Sequence, residues 1–288
     1  MSEVTIAAAG VREPARWRTR FPILIALCFL FVVTVIILAV FGPTVAPQGP
    51  SAQDLATGVS SPSWAHWLGT DDLGRDVLSR VIVGTRTAIV GPALITLGAT
   101  VLGGALGLLA GYRGGRIDMV VLRWADLMFA LPGHLVAIVV VGVLGGGYWR
   151  AVAVLILLSS PYDTRLIRAA TLEQRPRAYV EAARVLGLSS RRVALQHIWP
   201  NLTPLVLASA FLGFAYGLLA LSALSFLGLG VGPGTADWGR MLAESRTLLF
   251  TNAAAALAPG VMIVLTAASM NLLGDWLEER LSDRGRAR

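Results

Sequence analysis

Long apolar runs without charged side chains constrain the fold of this 288-residue chain more than any other feature. A helix needs about 20 such residues to cross the ~30 Å hydrocarbon core of a bilayer. The predicted spans are residues 21–41, 87–111, 127–147, 151–170, 202–227 and 252–274. With 55% hydrophobic and 14% charged residues, the composition excludes an ordinary soluble domain. It predicts an all-α integral membrane protein with six transmembrane helices, the fourth being the weakest because charged residues enter it.

The breaks between these runs divide the chain into four regions. They are a tail at 1–20, a first helix with an external segment at 21–84, a core of five helices at 85–274, and a C-terminal tail at 275–288. The first run is too long for the apolar part of a signal peptide, so it is expected to remain as an anchor. Glycines 103, 104 and 107 in the second run permit close helix packing.

The arginines predict which ends of the spans face the cytoplasm, where positive charge is retained. With the N-terminus inside and six spans, 18 of the 24 basic residues fall on inside segments and 6 on outside segments. Both termini are therefore expected to be cytoplasmic. The net charge of +7 then reflects topology, and no nucleic-acid partner is needed to explain it.

Residue types exclude several kinds of chemistry. All 24 basic residues are arginines, so the chain has no lysine for an ATP-binding P-loop or a Schiff base. The single cysteine, Cys28, provides neither an intrachain disulfide nor a thiolate metal cluster. The histidines, His66, His134 and His197, lack the spacing of a metal site. No cofactor and no metal are therefore expected.

A polar stretch at 171–200 interrupts the apolar pattern with a compact helix-turn-helix. Pro176 is expected to end the helix of the fourth span, and a short helix is predicted from 178 to 186. Gly187 fits the left-handed position after a helix end, and Pro200 fits a stop before the fifth span. The pattern predicts a docking element for another protein.

The predicted short helix has features that suit docking. Small side chains at Ala182 and Ala183 let a helix lie deep in a partner's groove. Glu181 can pair with Arg184 three residues further on. Because an exposed pair of this kind adds only about 0.2–0.5 kcal/mol, local helix stability does not explain the pattern.

This stretch resembles the cytoplasmic loop of the membrane permease subunits of bacterial ABC importers. That loop carries Glu-Ala-Ala, then a glycine four residues after the last alanine, then a distal proline. The matching residues are Glu181, Ala182, Ala183, Gly187 and Pro200. Ile198 is shifted by one position from the general form, as in the dipeptide, oligopeptide and nickel branch, and Trp199 stands in the leucine position.

Motifs along nearly the whole chain resemble the second permease subunit of peptide importers. They are 68–80, 111–115, 226–230, 238–241 and 271–276. Each motif is weak alone, whereas their order and spacing together are specific. One departure lies in the fourth span, where the branch often has an aromatic residue at the place of Ser160 and no acid at the place of Asp163.

The resemblance implies a type I ABC importer permease fold in a bacterial inner membrane. The 171–200 segment would be the coupling loop that transmits ATPase closure to alternating access of the helices. The implied partners are a second related permease in a heterodimer, two cytoplasmic ABC ATPase subunits, an external substrate-binding protein and membrane lipid. ATP hydrolysis would be carried out by the ATPases, so the chain itself is expected not to be an enzyme. Dipeptides or oligopeptides are the implied substrates, with nickel or a nickel chelate as the alternative.

Two polar features have more than one interpretation. Asp163 lies within a span and could meet the amino group of a peptide in the substrate path. Because Asp163 lies near the predicted cytoplasmic end of this span, the simpler expectation is an ion pair with an arginine, either Arg165 or one on another helix. The stretch from Thr70 to Arg80 could bind substrate, but a structural role is preferred, in which Thr70 or Asp71 starts a helix at the outer surface.

Two other classes of membrane protein stay open as alternatives. A secondary transporter would need acids or interrupted helices for ion coupling, and Asp163 is the one plausible acid. A membrane enzyme would need converging reactive side chains near one interface, and the sequence gives no sign of them. The ABC importer interpretation is therefore preferred.

Overall fold

The computed structural model describes residues 22–286, and within them the chain is helical, without a β-strand. The helices are α1 (Pro22–Val45), α2 (Val77–Arg113), α3 (Gly115–Ala130), α4 (Gly133–Val143), α5 (Tyr148–Gln174), α6 (Ala178–Val185), α7 (Ser190–Val193), α8 (Trp199–Phe226), α9 (Trp238–Glu244) and α10 (Ala253–Arg286). A π-helical turn, Ala194–Ile198, joins α7 to α8. The predicted tail at 1–20 lies outside the described residues, as do residues 287–288.

Four helical stretches are long and apolar enough to cross a membrane. They are Ile23–Val45, Val77–Arg113, Ser190–Phe226 and Ala253–Leu281. The pair α3 and α4 makes a fifth candidate if it is counted as one crossing. Helix α5 has 27 residues, but an aspartate, a glutamate and three arginines interrupt its apolar sequence. The described chain is thus an all-helical membrane protein with four to five candidate spans, and the predicted number of six is not confirmed.

The third predicted span, 127–147, is wrong as a single helix. Helix α3 ends at Ala130, α4 begins at Gly133, and the two are bent by 87° at the break. Leu131 has extended φ and ψ angles of −101° and 141°, because the following proline disfavours helical geometry in the residue before it. Pro132 therefore divides this apolar run into two shorter helices.

The start of α2 also differs from the expectation. The helix begins at Val77, because the carboxylate of Asp76 accepts a hydrogen bond from the Ser79 N–H at 2.8 Å and caps the first turn. Thr70 and Asp71 do not start it, contrary to the prediction.

Two further helix boundaries are corrected. Pro200 forms no stop before the fifth span: it lies near the start of α8, just after the π turn, and the helical stretch is continuous from 190 to 226. Helix α10 continues past residue 274, so most of the predicted C-terminal tail is helical. The glycine-rich stretch at 228–234 separates α8, which ends before it, from α9, which begins after it.

Helices α2 and α5 form the most extensive helix pair of the bundle. Glycines spaced by four residues make this contact possible: a Cβ at Gly103 or Gly107 would lie 2.6 Å from a carbonyl oxygen of α5, and one at Gly111 would lie 2.8 Å from the Thr171 side chain. Backbones approach this closely only where side chains are absent. The predicted packing role of the glycines in the second span is confirmed.

Candidate functional site

The turn inside the 171–200 segment is fixed by its backbone. Helix α6 ends at Val185, and Gly187 follows with a φ of +77°, in the left-handed region that favours glycine. The Gly187 N–H donates to the Arg184 carbonyl at 2.9 Å. The Leu188 N–H donates to the Ala183 carbonyl at 3.2 Å, which completes a Schellman motif. Since nothing lies within 4 Å of a Cβ placed on Gly187, this glycine serves the backbone and not the packing.

One face of α6 is anchored in the helical bundle. Val180 is fully buried and Ala183 is 3% exposed. Both belong to an apolar cluster with the ends of α2, α5 and the α7–α8 stretch, represented by Leu108, Ile167 and Ile198. Helix α6 is therefore close-packed against the ends of three long helices.

The other face of α6 and the turn that follows are apolar and exposed. Val185 is 88% exposed and Leu186 is 79% exposed. Glu181 and Ala182, on the same short helix, are exposed as well. Two adjacent apolar side chains are therefore exposed at the tip of an otherwise polar segment.

The residues predicted to contact an ATPase therefore lie on two sides of the segment. The exposed ones are Glu181, Ala182, Gly187 and Pro200. Ala183 faces the bundle instead. The predicted pair between Glu181 and Arg184 is wrong for the described residues, since the Arg184 guanidinium lies 5.2 Å from the centre of the Tyr112 ring in a cation–π contact.

Trp199 occupies the space above a glycine of α2. A Cβ at Gly104 would lie 3.0 Å from Cη2 of Trp199. The preceding π turn holds an extra residue within the helix, and Ile198 at its end is fully buried. The tryptophan in the leucine position is thus accommodated by a small residue on the facing helix.

A second candidate site is a cavity of about 320 Å³ between α2, α3, α5 and α8. Asp163 lies in its wall and is 8% exposed, and its Oδ2 accepts a hydrogen bond from the Thr100 hydroxyl at 3.1 Å. Ser159, also in the wall, has a buried hydroxyl without a hydrogen-bond partner among the described residues. Tyr162 and Tyr216 are 52% and 47% exposed, so they stand where the cavity opens to the surface.

The simple ion pair expected for Asp163 is wrong. Arg165 pairs with Asp126 instead. Arg168 Nη2 donates to Asp118 Oδ2 at 2.6 Å. Both arginines thus tie α5 to α3, and within residues 23–281 Thr100 is the side chain that donates to the Asp163 carboxylate.

The 46–76 segment and the start of α2 are joined to α9 by buried charges. Arg75 and Arg80 are 2% and 1% exposed. Asp71 Oδ2 accepts from Arg75 Nε at 2.7 Å. Glu244 Oε2 accepts from Nη2 of both arginines, at 3.0 and 2.8 Å. Burial by itself raises the pKa of Glu244, but the hydrogen bond from Arg240 and the charges of the two buried arginines outweigh it and lower that pKa.

Further hydrogen bonds order this segment and tie it and the start of α2 to other elements. The Thr70 hydroxyl donates to the Gly58 carbonyl at 2.6 Å, and Asn252 Nδ2 donates to the Thr70 carbonyl at 3.1 Å. The fully buried Trp238 donates from its indole N–H to the Val81 carbonyl at 2.9 Å. The side chains of this stretch are occupied by internal contacts, which supports the structural interpretation over substrate binding.

A sequence comparison identifies the family to which these features belong. The profile of the family described as the binding-protein-dependent transport system inner membrane component matches residues 103–283, which include the 171–200 segment and Asp163. The chain belongs to this family. It is a multi-pass inner-membrane permease component of an ABC transport system whose ATPase is a separate subunit. This membership replaces the alternatives of a secondary transporter and a membrane enzyme.

Curated relatives of this permease component confirm the resemblance to peptide importers. It is 33% identical over 273 residues to the dipeptide transport system permease protein DppC of Alkalihalophilus pseudofirmus, covering 93% of this chain and 90% of the relative. It is 37% identical over 265 residues to the di/tripeptide transport system permease protein DppC of Pseudomonas aeruginosa, covering 88% and 86%. It is 37% identical over 223 residues to the glutathione transport system permease protein GsiD of Pectobacterium atrosepticum, covering 77% and 74%.

A solved structure with the same fold comes from a more distant importer. A chain of the MetNI methionine ABC transporter, in an inward-facing conformation, superposes with a TM-score of 0.55 and 15% sequence identity. The match covers 70% of this permease component and 95% of that chain. At this identity the similarity shows the fold alone, and it confirms an ABC importer permease fold.

Proposed function

We propose that this permease component forms half of the translocation pathway of an ATP-driven importer for dipeptides or oligopeptides. The observation that carries the proposal is the set of relatives, which are named for dipeptide, di/tripeptide and glutathione transport and match 77–93% of this chain. Nickel or a nickel chelate is the alternative substrate. The described residues hold no group of three or more His, Cys, Asp or Glu side chains suited to a metal ion, so nickel has no specific support.

The proposed topology has six crossings of the inner membrane. The bent pair α3–α4 counts as the third crossing and α5 as the fourth. The arginine distribution supports cytoplasmic termini, because 18 of 24 arginines then lie on the inside. In this arrangement the 171–200 segment also faces the cytoplasm.

The 171–200 segment is the proposed coupling loop. Its exposed surface at Glu181, Ala182, Val185 and Leu186 would enter a cleft of an ABC ATPase, and the small side chain of Ala182 allows close approach. Ala183, on the buried face, would pass the movement to α2, α5 and α8. Closure of two ATPases around ATP would thereby bias the bundle between inward-open and outward-open states.

The remaining two coupling residues act through the backbone. Gly187 fixes the turn that presents the exposed tip, and Pro200 lies in the first turn of α8. The complete importer would contain a second, related permease as the other half of the pathway, two ATPase subunits and an external binding protein, all within or against the lipid bilayer.

The coupling assignment is tested in the importer purified with its partner subunits and reconstituted in proteoliposomes. Leu186→Asp places a charge on the exposed tip, and Leu55→Asp is a matched control, since Leu55 is 72% exposed in the 46–76 segment. The measurements are the amount of ATPase subunit retained on the permease, ATP hydrolysis and uptake of a labelled dipeptide. We expect the Leu186→Asp permease to lose the ATPase subunit and its dipeptide uptake to fall by at least about tenfold, because a charge must be desolvated in the cleft.

Each outcome of this experiment separates one part of the proposal from the rest. Leu55→Asp is expected to keep the ATPase. If Leu186→Asp also keeps the ATPase and transports normally, the coupling assignment is wrong. If the wild type takes up a nickel chelate but no peptide, the peptide assignment is wrong while the coupling assignment stands.

A further inference from the structure

The Asp163 cavity contains polar groups whose hydrogen-bonding capacity is not used. Thr100 donates to Oδ2 of Asp163 and is, among the described residues, the side chain that donates to this carboxylate. The Ser159 hydroxyl is buried without a partner there. Buried polar groups in proteins are nearly always hydrogen-bonded, so a partner that enters from outside accounts for both observations.

The position of Asp163 makes an uncompensated charge costly. It lies 15 residues after the first residue of α5, or about 22 Å along the helix at 1.5 Å per residue, far from either end. Arg165 and Arg168 are engaged by Asp126 and Asp118 and do not neutralise it. In the proposed topology α5 is the fourth crossing, and an ionisable residue within a crossing is a functional candidate.

The cavity chemistry suits an ammonium group better than a metal ion. An ammonium has three donors, which match the free oxygen of Asp163 and the Ser159 hydroxyl. The Tyr162 and Tyr216 rings at the mouth offer faces that attract cations. A metal ion would require several ligating side chains, and no group of three His, Cys, Asp or Glu occurs within the described part of the chain. The volume of about 320 Å³ is at the lower end for a small-ligand site.

We propose that the Asp163 cavity is a transient binding site for the positively charged amino terminus of the peptide during translocation. The Asp163 carboxylate accepts the ammonium, Thr100 orients the carboxylate, and Ser159 accepts a further hydrogen bond. This inference rests on the proposed function, because it names the part of a peptide substrate that the pathway recognises.

The test reads the charge preference of the cavity without relying on transport. In the assembled importer, Cys28→Ala removes the native thiol and Thr96→Cys places a near-isosteric thiol in the cavity wall. The rates of labelling by aminoethyl methanethiosulfonate, a cation, and sulfonatoethyl methanethiosulfonate, an anion, are compared. Protection is then measured with a dipeptide that has a free amino terminus and with the same dipeptide after N-acetylation.

The expected result is a labelling rate at least about tenfold higher for the cationic reagent, because a charged cleft with low-dielectric walls concentrates ions of the opposite sign. Asp163→Asn should abolish this preference, and Asp163→Glu should keep most of it, which separates charge from folding. Glu173→Gln is the matched control, since it removes one carboxylate from the exposed surface of the same helix and should change nothing. The free dipeptide should slow labelling, and the acetylated one should not.

Three results would overturn the inference. They are an equal preference in wild type and Asp163→Asn, equal protection by both dipeptides, and loss of the preference in Glu173→Gln. A failure of the wild type to import any peptide would instead overturn the proposed function, and the labelling rates would still report whether the cavity selects cations.

Discussion

The 46–76 segment and the 171–200 segment are attached to the same bundle by different kinds of contact. The first is held by directional polar contacts, in which its buried Arg75 and the buried Arg80 of α2 both donate to the Glu244 carboxylate of α9, at 3.0 and 2.8 Å. The second is held by apolar contacts, through Val180 and Ala183, and its exposed tip is apolar as well.

This difference in contacts determines whether each segment can move relative to the bundle. A network of buried charges is satisfied in one geometry, because a small displacement leaves a charge unpaired. An apolar contact is not directional, so a helix held by it and the residues packed against it can shift together by a small amount while they stay buried. We infer that the 46–76 segment stays fixed to the start of α2, whereas α6 is attached in a way that permits movement.

The largest expected effect comes from the buried network. Glu244→Gln leaves Arg75 and Arg80 with one charge fewer to balance them, and breaking a buried ion pair in this way costs about 3–5 kcal/mol. The measurement is the free energy of unfolding of the purified protein in detergent. Asp72→Asn is the control, because Asp72 is 55% exposed and lies 3.9 Å from Arg75, where a surface pair contributes about 0–1 kcal/mol. Equal effects of the two variants would contradict the polar attachment of this segment.

Lowering the pH should gradually remove the contribution of the ionised Glu244 carboxylate to the free energy of unfolding. The pKa of Glu244 lies below its ordinary value of 4.5 in the folded protein, despite the opposing effect of burial, because of the Arg240 hydrogen bond and the buried arginines. A lowered pKa in the folded state stabilises the protein fully above the unfolded pKa, and that stabilisation is lost as the pH falls through the folded pKa. The stability difference between wild type and Glu244→Gln should therefore be constant above pH 4.5 and shrink below it. A difference that grows in acid would show that another group controls it.

Helices α2 and α5 lie between the two segments, and substitutions in their contact should have the next largest effect on the free energy of unfolding. Gly107→Ala places a Cβ 2.6 Å from the Thr164 carbonyl oxygen, so the helices must separate at a cost of about 1–3 kcal/mol. Gly133→Ala is the control, since nothing lies within 4 Å of a Cβ there. Unfolding in detergent measures both variants. If Gly107→Ala is as stable as Gly133→Ala, the close approach of the two helices does not hold the bundle together.

A smaller effect is expected at the turn that presents the exposed tip. Gly187→Ala forces a side chain into a φ of +77°, which costs about 1–2 kcal/mol, whereas Gly187→Asn should cost less because asparagine tolerates this conformation. The readout is hydrogen exchange of the amides in α6, which should become faster in Gly187→Ala. Unchanged exchange in both variants would mean that the Schellman motif does not stabilise α6.

The sequence predicts features that depend on local backbone chemistry. The short helix at 178–186 and its terminal Gly187 are confirmed, because a left-handed position after a helix leaves a clear signal. The glycine packing of α2 is confirmed for the same reason, since small residues recur at helical spacing. Pro132 carries the same kind of local signal, but a span predicted from hydrophobicity alone does not contain the break that Pro132 makes.

Features that require side chains from distant parts of the chain could not be predicted in this way. The charge of Asp163 distinguishes it within an apolar run, but its partner Thr100 lies 63 residues away and carries no pattern of its own. Glu244 is likewise separated from Arg80 by 164 residues. Helical spacing relates positions on one helix, whereas these contacts depend on how two helices are rotated against each other.

The smallest expected effect lies on the 171–200 segment itself. Arg177 and Glu173 form an ion pair at 3.2 Å, but their side chains are 56% and 70% exposed. Glu173→Gln should therefore change the free energy of unfolding by no more than about 0.5 kcal/mol, and added salt should erase even that. If this variant destabilises the protein as strongly as Glu244→Gln does, the 171–200 segment is also held by directional charges. Helix α6 would then lack the freedom to move that its apolar attachment implies.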